Sequence, residues 1–558
     1  MSPSPTSDTD RTERFPATGR SQAAVVAILG LAAFTRIYEI DTADVWVDEA
    51  NAILMSKESL GGLFQRLRLD SSPPAYYILL HFWVLAFGDG AVAVRLLSAL
   101  SGIALVIVTW WAGRDLISPR VGLWAALFVA ASPIQAFYSQ QARMYAMLPV
   151  LALLSVAFLV RYLRGSSKAD FRLWIGTTLL ALLTHHFAFY LLAVHGALIA
   201  LSGRLVSDWR HWLGAALVTA LGYSPWTPFL LDQIQNRDHY AWFVGFWDRI
   251  GPEEHVQLTF QSYSPSGTFA QYAGLGPPPG GVWAALGVAA LVTALAGFGA
   301  YSLWSSRRER GLVGAGWPLI FLVLPILASL AVSMLGTPNY VAGRVDQMML
   351  PAFALLVGVG IHEIRPVPLG VLVATSIVVI GVWSKFGLYP EDPGRGLEGG
   401  NRELARRVAE RASPRDVILC TSLSRAPLEY YLGRAGIDTR LLSFPRDTAL
   451  HLGSQNDVRL LSDPRALDRE AVLVVERARS LLDDDGRLFL IRVRSEVNAF
   501  LRHAAMLRRF GFRGAGGLGR FHQSGTGLQL EARIYRLGRE RQGAPSAGSA
   551  QREAQPTR

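Results

Sequence analysis

Apolar runs almost free of Lys, Arg, Asp and Glu recur along the chain from residue 22 to residue 384, and short polar connections divide them. Runs near twenty residues match the roughly 30 Å hydrocarbon core of a bilayer. Eleven spans are expected, at about 22–40, 92–111, 121–138, 144–160, 172–184, 187–203, 212–231, 281–303, 312–335, 346–361 and 367–384. Between the first two the rhythm differs. Ile53, Leu54, Leu60, Leu63, Phe64 and Leu67 recur at helical spacing and predict a surface helix over 50–67. Tyr76 to Phe87 is apolar but too short to span. Bounded by Pro74 and Gly88, it reads as a helix lying in the membrane interface, with Tyr76, Tyr77 and Trp83 at headgroup level.

Beyond residue 384 the pattern becomes that of a water-soluble unit. Asn401 to Glu410 is amphipathic, Asp416 to Cys420 and Ala471 to Glu476 look like buried strands, Val497 to Phe510 is helical, and Leu528 to Leu537 reads as a closing strand. A small α/β domain is therefore expected over 385–537. The ends, 1–21 and 538–558, are polar and expected to be disordered. No short apolar stretch with a cleavage site precedes residue 22, so the first apolar run reads as a retained helix. The fold class expected is a polytopic α-helical membrane protein of 22–384 with a long first loop, 41–90, plus the α/β domain.

Charge sets the orientation. With the N-terminus in the cytoplasm, the basic residues of the short connections fall almost wholly inside, among them Arg114, Arg120, Arg161, Arg164, Arg204 and Arg307. Only Arg143 and Arg344 stand outside, which is the asymmetry the positive-inside rule expects. The loops 41–90 and 232–280 and everything after about Lys385 are then extracytoplasmic, and the chain is placed in the plasma or inner membrane as a multi-pass protein. The net charge of +11 reads as orientation and contact with anionic lipid, and nucleic acid is set aside as a partner. Cys420 is the single cysteine, so neither an intramolecular disulfide nor a cysteine metal cluster is available.

Ionisable groups are costly at mid-bilayer and betray pumps and proton-coupled carriers. The middles of these spans hold almost none; His195 is the main exception, and a lone histidine there more often hydrogen-bonds between helices than it ligates or relays. The polar groups gather at the outer helix ends instead. Asp44-Val-Trp-Val-Asp48-Glu49 places adjacent carboxylates just outside a span, suited to a general base or to capping the next helix. In Asp70-Ser-Ser-Pro-Pro-Ala-Tyr-Tyr77 the double proline fixes an extended turn that holds Asp70 near the surface. Gln140-Gln-Ala-Arg143-Met-Tyr145 and Asn339-Tyr-Val-Ala-Gly-Arg344 each put an arginine outside against the orientation bias. Guanidinium forks suit phosphate, and a lipid phosphate is the natural partner there.

These motifs, in this order, resemble the bacterial protein O-mannosyltransferase-like family of GT-C glycosyltransferases, related to the lipid A aminoarabinose transferases. The likeness rests on Trp46-Val-Asp48-Glu49, on Asp70 to Tyr77, on Arg95 opening the next span, and on Gln140 to Tyr145. It implies a GT-C fold and inverting transfer of a hexose or pentose from a polyprenyl-phosphate-sugar to an extracytoplasmic protein, lipid or polysaccharide. Asp48 would be the base, with Glu49 tuning it or sharing that duty. Arg143 and Arg344 would hold the carrier phosphate, with Tyr145 and Arg95 in the same pocket. Some relatives bind a divalent metal through an acid and a histidine, and Asp70 with His185 or His186 is the candidate set. Two other classes fit the topology: a flippase for lipid-linked glycans and a non-catalytic envelope scaffold.

Overall fold

A computed structural model describes residues 19–235, 247, 250–267, 280–336, 338–386, 400–437, 440–444, 463–482, 485–493, 506–522 and 529–537. Most of the terminal segments expected to be disordered, 1–18 and 538–558, lie outside the described residues. So do 497–505 of the expected late helix and much of the 232–280 connection.

The first half comprises α1 (Gly19–Ile37), α2 (Val47–Lys57), α3 (Leu60–Leu67), α4 (Ala75–Phe87), α5 (Ala91–Leu116), α6 (Pro119–Ala131), α7 (Pro133–Ser139), α8 (Met147–Gly165), α9 (Lys168–Leu182), α10 (Tyr190–Leu201), α11 (Trp209–Tyr223) and α12 (Thr227–Gln235). There follow α13 (Pro252–Tyr263), α14 (Val282–Ser305), α15 (Arg307–Leu335), α16 (Leu350–Glu363) and α17 (Val367–Phe386). Each expected span falls on a helix or helix pair, but the count of eleven is not reached. Among the described residues six helices are long and apolar enough to cross a membrane, or up to seven if each bent pair is one span. The protein is a multi-pass membrane protein by that measure.

Two breaks shape the site. The expected span 121–138 is the pair α6 and α7, bent by 62°. Ser132 turns to ψ 118° ahead of Pro133, which lacks an N–H and disfavours helix in the residue before it. The single surface helix expected over 50–67 is two helices. Glu58 leaves the helical region, and the Ser59 hydroxyl restarts the chain by accepting from the Gly62 amide at 3.2 Å. The helix predicted at 76–87 is α4.

Small residues let the apolar helices close on one another, as membrane packing favours. A Cβ on Gly122 would lie 2.5 Å from the Trp110 carbonyl of α5, and one on Gly299 would lie 2.0 Å from the Leu356 carbonyl of α16. His195 serves as glue: Nδ1 accepts from Trp174 Nε1 at 3.4 Å, so Nε2 carries the proton toward Ser155 Oγ at 3.1 Å, tying α8, α9 and α10.

The C-terminal part folds as α18 (Asn401–Arg411), β1 (Val417–Thr421), α19 (Arg425–Arg434), β2 (Arg440–Phe444), α20 (Pro464–Leu481), β3 (Arg487–Val493), β4 (Phe512–His522) and β5 (Gln529–Leu537). The sheet order is β2-β1-β3-β5-β4. β1 pairs in parallel with β2 and β3, while β5 runs antiparallel to β3 and β4. Leu404, Val408 and Leu428 cover one face, and Leu467, Ala471, Val474, Val475 and Ala478 the other. Those last five residues correct the strand expected at Ala471 to Glu476. They recur at helical spacing behind Asp463, whose carboxylate caps the Arg465 and Ala466 amides, with Pro464 in the first turn.

Candidate active site

Asp48 lies in the first turn of α2, where the positive end of the helix dipole favours a carboxylate. Its Oδ2 accepts from Arg344 Nη2 at 2.6 Å, and Arg143 Nη2 stands 3.9 Å away. Tyr145 sits between the two guanidinium groups. Its hydroxyl accepts from Arg344 Nε at 2.6 Å, and its ring centroid lies 5.2 Å from the Arg344 carbon and 5.8 Å from that of Arg143. The Asp48 and Arg344 side chains are each 23% exposed, Arg143 only 7%. Exposure therefore falls from Asp48 and Arg344 toward Arg143.

Each arginine is held by irregular backbone beside a helix end. Arg143 follows the break after α7, its carbonyl accepting from Ser98 at 3.2 Å. Its Nη1 donates to the Tyr77 hydroxyl at 2.6 Å, and Tyr77 donates to Asp70 Oδ2 at 3.2 Å. Among the described residues Arg143 Nε is buried without a partner, a donor still to be satisfied. Burial works against the Arg143 charge, but Tyr77 and Asp48 outweigh it and lift its pKa well above the ordinary value. Arg344 ends a turn in which Gly343 takes a φ of 75° that disfavours side chains. That turn is braced from three sides. Tyr138 donates to the Gly343 carbonyl at 2.6 Å, Asp346 Oδ2 accepts from the Gly343 amide at 2.9 Å, and Tyr263 donates to the Asp346 carbonyl at 2.5 Å.

Glu49 and Arg95 form a separate unit, which corrects their expected places beside Asp48 and the phosphate. Both side chains are 1% exposed. Arg95 donates to Glu49 through Nε at 2.9 Å and Nη2 at 2.7 Å, and to the Ile40 and Ala43 carbonyls. Glu49 Oε1 also accepts from the Ala142 amide at 2.9 Å. The pair ties α2, α5 and the turn before Arg143 together.

The proposed metal set does not fit a metal ion. Among the described residues no three His, Cys, Asp or Glu side chains gather to hold one. Asp70 Oδ1 accepts from the Ser71 amide and Oδ2 from Tyr77, so Asp70 braces Arg143. His185 Nδ1 accepts from the Phe187 amide at 3.0 Å; burial, then His186 and the arginines, push its pKa down to about 3, leaving it neutral. His186 Nε2 meets Gln233 Oε1 at 2.9 Å. Tyr76 and Tyr77, expected at headgroup level, are instead fully buried, Tyr77 against Arg143. Tyr138 and Asp346 lie inside or beside the sequence motifs and carry no role in the expectations drawn from them, and only their proximity to Arg344 marks them.

Solved structures share the overall fold of this chain. ArnT of Cupriavidus metallidurans in the apo state superposes with a TM-score of 0.55 at 13% identity, over 92% of this chain and 98% of that one. The same enzyme bound to undecaprenyl phosphate gives 0.51 at 15%, over 93% and 98%. The Archaeoglobus fulgidus oligosaccharyltransferase in the apo form gives 0.52 at 11%, over 94% of this chain and 75% of that one. No family model matches the sequence, and no curated protein is similar to it.

Proposed function

We propose that the protein is an inverting glycosyltransferase that moves a sugar from a polyprenyl-phosphate carrier to an extracytoplasmic acceptor, in the manner of the protein O-mannosyltransferase-like enzymes. The observation that carries this reading is the meeting of Asp48 with Arg143 and Arg344. That one structural neighbour binds undecaprenyl phosphate supports the carrier class.

The carrier phosphate would enter between Arg143 and Arg344 and satisfy the buried Arg143 Nε. In doing so it competes with Asp48 for Arg344. The carboxylate released from that 2.6 Å contact is the base that takes the acceptor's proton as the acceptor attacks the anomeric carbon. The carbon–oxygen bond to the carrier breaks, and the phosphate leaves as an anion on the two guanidinium groups. No acid is needed to protonate it. Tyr145 fixes the Arg344 fork, and the Asp70–Tyr77 pair fixes that of Arg143. The unit over 22–384, with its first outer loop 41–90, carries the chemistry, and the α/β domain over 385–537 lies outside the plasma or inner membrane.

Asp48→Asn tests the role of the base. Transfer measured with a polyprenyl-phosphate-sugar should fall about 10³-fold, while carrier binding persists. A flippase or scaffold would be indifferent to the change. Full transfer by the variant would remove Asp48 from the mechanism.

A further inference from the structure

The segment from Asp41 to Trp46 joins α1 to α2 and is held from two sides. Arg95 donates to the Ala43 and Asp44 carbonyls and Glu49 accepts from the Trp46 amide, and further hydrogen bonds run to the other end of the chain. The Val45 amide donates to the Tyr431 hydroxyl at 2.8 Å, and the Val45 carbonyl accepts from the Asn401 side-chain amide at 3.2 Å. Val45 is fully buried, so side chains of the C-terminal part satisfy both of its backbone groups. One residue earlier, Asp44 accepts from the Arg402 backbone amide at 3.1 Å and lies 3.6 Å from its Nε. Arg402 also donates to the Asp41 carbonyl at 3.0 Å. Two helices of the same unit, α18 with Asn401 and Arg402 and α19 with Tyr431, thus grip one short stretch.

That stretch decides where α2 begins. Trp46 is extended, with φ −94° and ψ 177°, and its own side chain caps nothing. Asp48 is three residues past Val45, so a shift of Val45 moves the first turn and the carboxylate with it. The interface is otherwise well anchored. Ala426 and Tyr430 of α19 belong to the apolar core of the membrane helices. At the far end of the loop Tyr430 donates to the Asp89 carbonyl at 3.2 Å, and the Asp89 carboxylate pairs with Arg434 at 2.5 Å and with Lys57 at 2.6 Å.

We infer that Tyr431, Asn401 and Arg402 are positioning residues for Asp48: the C-terminal unit fixes the start of α2, and through it the place where the carboxylate meets Arg344. The inference rests on the reading of Asp48 as the base. It makes the C-terminal unit part of the catalytic apparatus rather than an appendage. A displacement of about 1 Å in a reacting group is enough to cost on the order of 10²-fold in rate.

Two matched substitutions on one helix test it in the full-length protein. Tyr431→Phe removes one hydroxyl at the Val45 end of the interface, and Tyr430→Phe removes one at the Asp89 end. Hydrogen–deuterium exchange of the peptide covering residues 43–49 should quicken in Tyr431→Phe and stay at the wild-type rate in Tyr430→Phe. With an active wild type, kcat should fall about tenfold in Tyr431→Phe alone, with KM for the lipid donor within about twofold. Unchanged exchange at 43–49, or equal kcat losses in the two variants, would overturn the positioning role. A wild type that transfers no sugar, combined with the expected exchange pattern, would sink the enzymatic reading and leave the mechanical one standing.

Discussion

Asp48 and Glu49 are neighbours in sequence with opposite fates, and helix geometry explains why. Successive helical residues point about 100° apart, so one carboxylate faces Arg344 and the other turns inward to Arg95. Adjacency along the chain had suggested a shared duty. Glu49→Gln should break a buried ion pair and leave an uncompensated Arg95 behind. Destabilisation of about 3–5 kcal/mol follows, visible as a lowered thermal midpoint or poor recovery in detergent. Asp48→Asn, at a partly exposed site, should keep nearly the wild-type midpoint while losing turnover. Tyr145→Phe should lower kcat/KM about tenfold through the loose Arg344 fork, since a hydrogen bond to a charged group is typically worth about 1.5–3 kcal/mol. Arg344→Lys should cost more, about 10²-fold. If Tyr145→Phe is silent in steady-state kinetics, the fork does not depend on it.

At the scale of elements, close packing makes its own demand. Gly299→Val would drive a side chain into the Leu356 carbonyl across α14 and α16, whereas a Cβ at Gly287 meets nothing within 4 Å. Overpacking of this kind typically costs about 1–3 kcal/mol, so Gly299→Val should lower the melting temperature and Gly287→Ala should not. Equal melting curves would show that the helices can separate. The same scale divides what the sequence makes legible from what it hides. Long apolar runs mark their helices because burial and length leave few alternatives, and β1, β5 and α18 follow from short clean periodicities. β4 escaped because Gly514, Gly516, Gly517 and Gly519 leave no alternation to read. Ala471 to Glu476 misleads because a short apolar run serves a strand or a helix equally, and the Asp463-Pro464 cap deciding between them begins eight residues upstream. The arginines and Asp48 were legible as motifs; the Asp70–Tyr77–Arg143 chain was not, because it depends on which helix ends meet.

The whole molecule joins a membrane part and a polar C-terminal part. In the C-terminal sheet, burial alone would raise the Asp416 carboxyl, but hydrogen bonds from Arg487 and Ser413 more than offset it and hold it below the ordinary value. A carboxyl depressed in the folded state stabilises above its unfolded pKa, about 3.9, and that contribution is lost as pH falls through the folded value. The C-terminal unit should therefore loosen on acidification below about pH 4. Asp416→Asn should be less stable at pH 7 and nearly flat through that window. An Asp416→Asn profile parallel to the wild type would assign the acid response to other groups.

The central claim is that one pocket, bounded by Asp48, Arg143 and Arg344, receives the carrier phosphate. The measurement closest to it is an experimental structure of the full-length protein with a polyprenyl phosphate. The phosphate should lie within hydrogen-bond reach of both guanidinium groups, with the Asp48–Arg344 contact opened. A phosphate bound elsewhere, with that contact intact, would contradict the account.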